Sequence, residues 1–349
     1  MKSKAAIQTE VDQPLIVDEI EIPDPLPHQV VVKLSASGVC HSQLHQIHGE
    51  SYPRPTTLGH EGVGVVTQVG RDVRHLVEGD HALVTWVPRT PMTGRAGPKP
   101  IGVTYRGELL HGGVYTWAED ALASGENVIK IEAEHATDES SIVGCAVLTG
   151  AGAVLNTARV RPGDSVAVFG VGGVGLSAIQ MAALLQAYPN IAVDLRDDKL
   201  EFAKEFGATH GVNASEGDPV EAIAELTGGG VDYAFDAIGL RATNEQILSA
   251  TRGGGPGADN YGGMAVLIGI PSGEISVDPM LFVLHQKQYR GSLGATYPEK
   301  DFPMFLRWYQ EGKFPLDKMV TRRYTLDEVN RACDDLESGR IFGRAILTY

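Results

Sequence analysis

Three stretches of this 349-residue chain carry side chains able to do chemistry. The first, Gly38-Val39-Cys40-His41-Ser42-Gln43-Leu44-His45, places a hydroxyl two residues and an imidazole five residues after a thiol. The second is Gly59-His60-Glu61 and the third Gly144-Cys145. Cys40, His60 and Cys145 together form a Cys₂His set, the kind that holds a catalytic Zn²⁺ with its fourth position open to water or substrate. Two thiolates and a neutral imidazole cancel the charge of the metal and leave it able to act as a Lewis acid. These residues lie far apart along the chain. Spacing alone does not pick out this set, and by themselves the three are more often two core cysteines and a loop histidine.

A separate signal is Gly170-Val171-Gly172-Gly173-Val174-Gly175, which follows the apolar run SVAVF. In this G-x-G-x-x-G the glycines permit a tight turn and a close backbone approach, while the N-terminus of the following helix offers unpaired N–H groups to a pyrophosphate. Asp194 stands 19 residues after Gly175. At the end of the next strand its carboxylate would accept hydrogen bonds from an adenosine ribose and repel a 2′-phosphate, favouring NAD over NADP. Arg196, two residues on, softens that preference. A glycine turn in a buried sheet beside a surface Asp is the bland alternative.

These residues need elements to hold them. From Met1 to about residue 140 the chain reads as short apolar strands broken by Pro and Gly, such as VVVKLSASGV and GVGVVTQVG. From about residue 160 strands alternate with helices, predicting a parallel sheet with crossover helices. SVAVF, IAVDL, YAFDA and AVLIGI are its strand candidates. Val174, Ala178, Met181 and Leu185 recur at helical spacing, and a second helix opens with Asp218 as N-cap and Pro219 at N1 and runs to Gly228. Near residue 290 the pattern fades; FPMFLRWYQEGKF and LDEVNRACDDLESG supply helices before a last strand, AILTY. GGGPGADNYGG, at 253 to 263, reads as a loop projecting from the sheet.

Bulk properties narrow the setting. The length suits two domains. With 29 basic against 44 acidic residues the net charge is -15, which opposes binding to nucleic acid or acidic lipid. Three cysteines argue against a disulfide framework and fit a reducing cytoplasm. The N-terminus lacks the apolar core of a secretory signal. No charged residue falls between Asp164 and Asp194, a run long enough for a membrane span, but its glycines, Pro189 and glutamines predict strand, turn and helix instead.

In order along the chain, GVCHSQLH, GHEGVGVV, GDHALVTW, GCAVLTGAG, VFGVGGVG and the closing GRAILTY resemble the zinc-dependent alcohol dehydrogenases of the medium-chain dehydrogenase/reductase family, over essentially the full length. The resemblance implies an α/β protein: a GroES-like β-rich catalytic domain, residues 1–146 with 292–349 returning to it, and a Rossmann domain with a doubly wound parallel sheet, residues 147–291, with the active site in the cleft between them. It implies that Cys40, His60 and Cys145 are the catalytic zinc ligands, with Glu61 beside the metal as an outer or exchanging ligand. Ser42 would take the substrate hydroxyl proton and pass it through the nicotinamide ribose to His45. His41 and Arg344 would face the pyrophosphate, Thr149 and Ile270 the nicotinamide, and Lys199 the adenosine ribose. Ile268 and Val174 would join Gly170, Gly172, Gly173, Gly175 and Asp194 in binding the cofactor, NAD. On their own, His41, Lys199, Thr149 and Ile270 also read as solvated or core residues without chemistry.

The implied reaction is reversible hydride transfer between a primary, secondary, cyclic or aromatic alcohol and NAD; Trp86 would wall the substrate pocket and favour primary or cyclic and aromatic alcohols over highly polar polyols. Many members of the family bind a second, structural zinc through four closely spaced cysteines. The matching stretch here, VPRTPMTGRAGPKPIGVTYRG at 87–107, contains no cysteine, so one zinc per subunit is expected. A homodimer or homotetramer meeting around PSGEISVDPMLF is implied as well. Rival readings are a polyol dehydrogenase, in which a carboxylate typically stands at the place of Cys145, a zinc-free enone or quinone reductase of the same fold, and a non-catalytic dinucleotide sensor.

Overall fold

The computed structural model describes residues 1–90 and 102–349. The chain divides into two compact units, Met1–Cys145 with Tyr297–Tyr349, and Ala146–Thr296.

The first unit is built on β-strands, as the short apolar runs predict. VVVKLSASGV lies in the strand Gln29–Val39, where Val32, Leu34 and Ala36 are buried and Lys33 and Ser35 exposed, the alternation of a pleated strand with one covered face. It pairs antiparallel with Glu61–Val69, placing Ser37 opposite Gly62, and with the closing strand Arg344–Thr348, placing Val39 opposite Ala345. His81–Thr85 continues the sheet beyond Glu61–Val69, with Thr85 opposite Glu61. Among the described residues this sheet has seven strands, and a second, five-stranded sheet contains Lys2–Gln8, Ile16–Glu21 and Thr104–Tyr105. The helix His41–His48 is seated by Leu44 and Ile47 in a buried cluster with Trp117, Val329 and Ala332. Burying such side chains contributes about 1.5–3 kcal/mol each.

The second unit carries a six-stranded parallel sheet among the described residues, in the order His210–Asn213, Asn190–Asp194, Val166–Phe169, Tyr233–Asp236, Met264–Leu267, Gln288–Gly291. That is the 3-2-1-4-5-6 order of a dinucleotide-binding fold. All four strands expected from sequence are in it. His210–Asn213 and Gln288–Gly291 were not legible, because they are edge strands with partly exposed, polar compositions. The charge-free run between Asp164 and Asp194 becomes the strand Val166–Phe169, the helix Gly173–Leu184 and the strand Asn190–Asp194. Among the described residues no single helix is long and apolar enough to cross a membrane. The Pro219–Thr227 helix starts and stops as its sequence signals: Asp218 Oδ1 accepts from Val220 N–H at 2.8 Å, Pro219 sits at the first turn, and Gly228 closes the helix at φ 73°.

Residues 292–296 were expected to return to the first domain. They pack in the second unit instead, where Ser292 Oγ lies 2.9 Å from Thr157 Oγ1 and the Ala295 carbonyl accepts from Asn156 Nδ2 at 2.8 Å. A hydrogen-bonded seam of this kind carries no hydrophobic period, so the sequence could not mark it. The loop 253–263 is tied at both ends, Gly254 N–H to His285 O and Gly262 N–H to Gln286 O. Of the cysteine-free stretch 87–107, residues 91–101 lie outside the described residues, and the expectation of no structural zinc falls partly there.

Candidate metal and cofactor sites

Cys40 follows the last residue of Gln29–Val39 and caps the helix His41–His48. His60 immediately precedes Glu61–Val69, so the pairing of those two strands brings thiol and imidazole side by side. Cys145 follows the 3₁₀ segment Asp138–Gly144, which Thr85 anchors by donating its hydroxyl to Gly144 O at 2.7 Å. One ligand atom from each of Cys40, His60 and Cys145 lies within 4.8 Å of the others, and the two sulfurs are 4.0 Å apart. Two thiolates on one tetrahedral zinc, at Zn–S distances of about 2.3 Å, would stand ~3.8 Å apart. The cage fits the ion.

Two further observations support the fit. His60 Nε2 is buried without a hydrogen-bond partner, a costly state that a metal would relieve. The hydrogen bond with Cys145 holds the Cys40 thiol well below its ordinary value against the opposing effect of burial, with His60 and Arg344 adding to the lowering. Cys333, buried in the same unit without such neighbours, shows the contrast: burial pushes its thiol up to about 12. Environment therefore separates the Cys40 thiol from that of Cys333.

Around the ligands the structure assembles a polar frame. Glu61 is fully buried and pairs with Arg344, itself 5% exposed. An added Cβ at Gly38 would stand 2.2 Å from Glu61 Oε1, and one at Gly144 would stand 3.0 Å from Glu61 Cβ. Gly38, two residues ahead of Cys40, thus makes room for the Glu61 carboxylate, and Gly144, just ahead of Cys145, for the Glu61 Cβ and the Val84 carbonyl. Arg344, expected beside His41 at a pyrophosphate, gives its guanidinium to Glu61.

Gln43 was not singled out by sequence reasoning. It is 1% exposed, its Oε1 accepts from the Cys40 backbone N–H at 2.9 Å, and its Nε2 is 2.6 Å from His60 Nδ1. One amide thus touches two of the three residues of the cage. A neutral imidazole that gives Nε2 to a metal carries its proton on Nδ1 and needs an oxygen there. Turning the Gln43 amide over supplies that oxygen and gives up the bond from Cys40. The available sequence signal was its place one helical turn after Cys40.

Ser42 and His45 are three residues apart on one face of the same helix. Ser42 Oγ is buried without a partner, and His45 is exposed. His41 is exposed as well, and the half-buried Trp86 directly follows His81–Thr85.

In the second unit the glycine motif spans the turn between Val166–Phe169 and Gly173–Leu184. Gly170 has φ 89°, and a Cβ at Gly175 would fall 1.8 Å from Gly170 O, so helix and turn touch backbone to backbone. A Cβ at Gly172 would meet nothing within 4 Å. Gly172 therefore leaves open space over the helix N-terminus, the cradle a pyrophosphate requires. Gly173 and the half-buried Val174 open that helix. Asp194 ends its strand with Oδ2 accepting from Val171 N–H at 3.1 Å, which ties it to the motif. Arg196 is engaged by Asp198, Nε to Oδ1 at 2.9 Å. Lys199 lies in the helix Asp197–Lys204 and Thr149 in Ala146–Gly152, while Ile268, half-buried, and Ile270, exposed, follow Met264–Leu267.

Comparison with known proteins identifies the family. Residues 26–133 match the alcohol dehydrogenase GroES-like domain and residues 173–311 the zinc-binding dehydrogenase family. The chain is 33% identical to an S-(hydroxymethyl)glutathione dehydrogenase of Synechocystis sp., over the whole of both proteins. It belongs to the zinc-dependent alcohol dehydrogenases of the medium-chain dehydrogenase/reductase family. Among solved structures it is similar to an alcohol dehydrogenase zinc-binding domain protein from Burkholderia ambifaria, with TM-score 0.90 and 32% identity, covering 100% of this chain and 99% of that one. Benzyl alcohol dehydrogenase from Acinetobacter calcoaceticus gives TM-score 0.87 and 30% identity at the same coverage. The protein is an oxidoreductase acting on alcohols, and the expected GroES-like and Rossmann folds are both present.

Proposed function

We propose that this dehydrogenase interconverts small alcohols with their aldehydes or ketones, using NAD and a single catalytic zinc held by Cys40, His60 and Cys145. The observation that carries the reading is the convergence of those three ligand atoms within 4.8 Å. Bound there, zinc would supply Lewis-acid polarisation of the alcohol oxygen, and NAD would accept the hydride. The chain's own residues do the rest. Ser42 Oγ, buried without a partner, takes the hydroxyl proton, and His45, exposed one turn along the helix, releases it to water. Glu61, pinned by Arg344, lies next to His60 as a buried, charge-compensated carboxylate beside the metal cage. The glycine turn receives the pyrophosphate and Asp194 the adenosine ribose, with Lys199 beside it. The pairing of Arg196 with Asp198 supports NAD over NADP, since that guanidinium is not idle for a 2′-phosphate.

Trp86 supports a preference for aliphatic, cyclic and benzylic alcohols over polyols, and Cys145, in place of a carboxylate, separates the chain from the polyol reading. Exposed Met280, Val283 and Leu284 support a homodimer or homotetramer formed through the second unit. The decisive experiment combines metal analysis with NADH absorbance over an alcohol and polyol panel, run with NAD⁺ and with NADP⁺. One zinc per chain with NAD-dependent oxidation of benzylic or aliphatic alcohols is expected. Two tightly held zincs per chain, or faster turnover of polyols, would overturn the corresponding part.

A further inference from the structure

We propose that Asp236 is a positioning residue for the nicotinamide half of the cofactor, clamping the loops 237–239 and 268–269 into one rigid wall. The inference rests on the dinucleotide reading above and adds a residue that neither the glycine motif nor the metal cage involves.

Asp236 ends the strand Tyr233–Asp236, which lies beside Val166–Phe169 on the side opposite Asn190–Asp194. In a doubly wound sheet a dinucleotide lies across the carboxyl ends of the strands where the order reverses. The Asn190–Asp194 side carries Asp194 and takes the adenosine. The Tyr233–Asp236 and Met264–Leu267 side is left for the nicotinamide.

Asp236 is fully buried. Its Oδ1 accepts from Ile238 N–H at 2.9 Å and Gly239 N–H at 3.2 Å, and its Oδ2 accepts from Gly239 N–H at 3.2 Å and from Asn244 Nδ2. Its backbone carbonyl accepts from Ile268 N–H at 3.0 Å and Gly269 N–H at 2.8 Å. The side chain therefore holds the 237–239 loop, and the backbone carbonyl of the same residue ties it to 268–269. Burial pushes its carboxyl above the ordinary value, and the donors converging on it oppose that push.

The loops are also locked against each other. Gly239, at φ 93°, would place a Cβ 2.1 Å from Ile270 O, and a Cβ on Gly269 would stand 2.4 Å from Gly239 N. Gly239 O accepts from Ser272 N–H at 2.9 Å. Ile238 stands directly over the cofactor motif, since a Cβ on Gly170 would come 2.4 Å from its Cγ1. What the clamped loops present is apolar: Ile238 is 41% exposed and Ile270 54%. A purely structural clamp would turn such side chains into the core. Rigid loops holding isoleucines outward at the carboxyl ends of the strands form a surface suited to a flat, weakly polar ring.

The test compares two ligands on the full-length protein: NADH, and ADP-ribose, which lacks only the nicotinamide. Asp236→Ala keeps the backbone carbonyl that holds 268–269 and releases only the 237–239 loop and Ile238, so calorimetry should show NADH binding weakened ~10-fold or more while ADP-ribose changes by less than about twofold, because binding energy is lost only where that part of the wall is displaced. Asp236→Asn should recover most of the NADH affinity, as its Oδ1 keeps the Ile238 and Gly239 donors and the Asn244 amide can turn its oxygen toward the new NH₂. Should Asp236→Ala not fold, Asn244→Ala, which removes one donor from the clamp, must shift the NADH to ADP-ribose ratio in the same direction. Equal weakening of both ligands, or an unchanged ratio, overturns the proposal. Wild-type protein that binds neither ligand would sink the dinucleotide reading itself.

Discussion

Replacing Arg344 with Met should unfold the first unit far more readily than its single position in the closing strand suggests. Arg344 is 5% exposed and Glu61 0%, and their side chains form an ion pair. Removing one member of such a pair leaves the other charged in a low-dielectric site, at a cost of about 3–5 kcal/mol. In a unit of this size each kcal/mol lowers the melting temperature by ~2–4 °C, so R344M should melt roughly 6–20 °C below the parent. E61M should fall in the same range, because it strands the guanidinium. The double variant E61M/R344M replaces the pair with side chains that pack and should recover most of the loss, since apolar replacements of buried pairs are often neutral or better. The assay is urea or thermal unfolding of all four proteins read as a double-mutant cycle, with a coupling energy of at least ~3 kcal/mol expected. Single losses that simply add, with coupling below ~0.5 kcal/mol, would refute the buried-pair argument.

Two other substitutions separate fold from ligand binding. Gly172→Ala puts its Cβ in open space, so stability should change by no more than ~1 kcal/mol while NADH affinity falls ~10-fold; Gly175→Ala puts its Cβ 1.8 Å from Gly170 O and should lose ~1–3 kcal/mol of stability. Unfolding curves and NADH titration check both, and the reverse ranking would contradict the geometry. At Gln43, Leu strands the Cys40 N–H and frees the His60 ring, so zinc competition against a chelator should show a ~10–100-fold weaker site, whereas Glu offers an oxygen to each partner and should bind at least as tightly as the parent. Equal zinc affinity in Leu and Glu variants would refute the positioning role.

Much of the fold was legible because local signals agreed with period. Asp218, Pro219 and Gly228 mark a helix by chemistry that acts within a few residues, and the apolar strands of the nucleotide-binding sheet have no polar face to disguise them. The two edge strands escaped because an edge requires no apolar period, and the 292–296 seam because hydrogen bonds between small side chains leave no pattern.

By itself the sequence determined the glycine turn with its strand, helix and Asp194, since those residues act within one βαβ unit. It determined too the inventory of thiols and imidazoles able to hold a metal. The convergence of Cys40, His60 and Cys145, the pairing of Arg344 with Glu61, the bridging amide of Gln43 and the gathering of two loops onto Asp236 were decided only in three dimensions. The physical reason is that coordination and buried hydrogen bonding act over a few ångströms. Only strand pairing and burial bring to that range residues separated by tens to hundreds of positions.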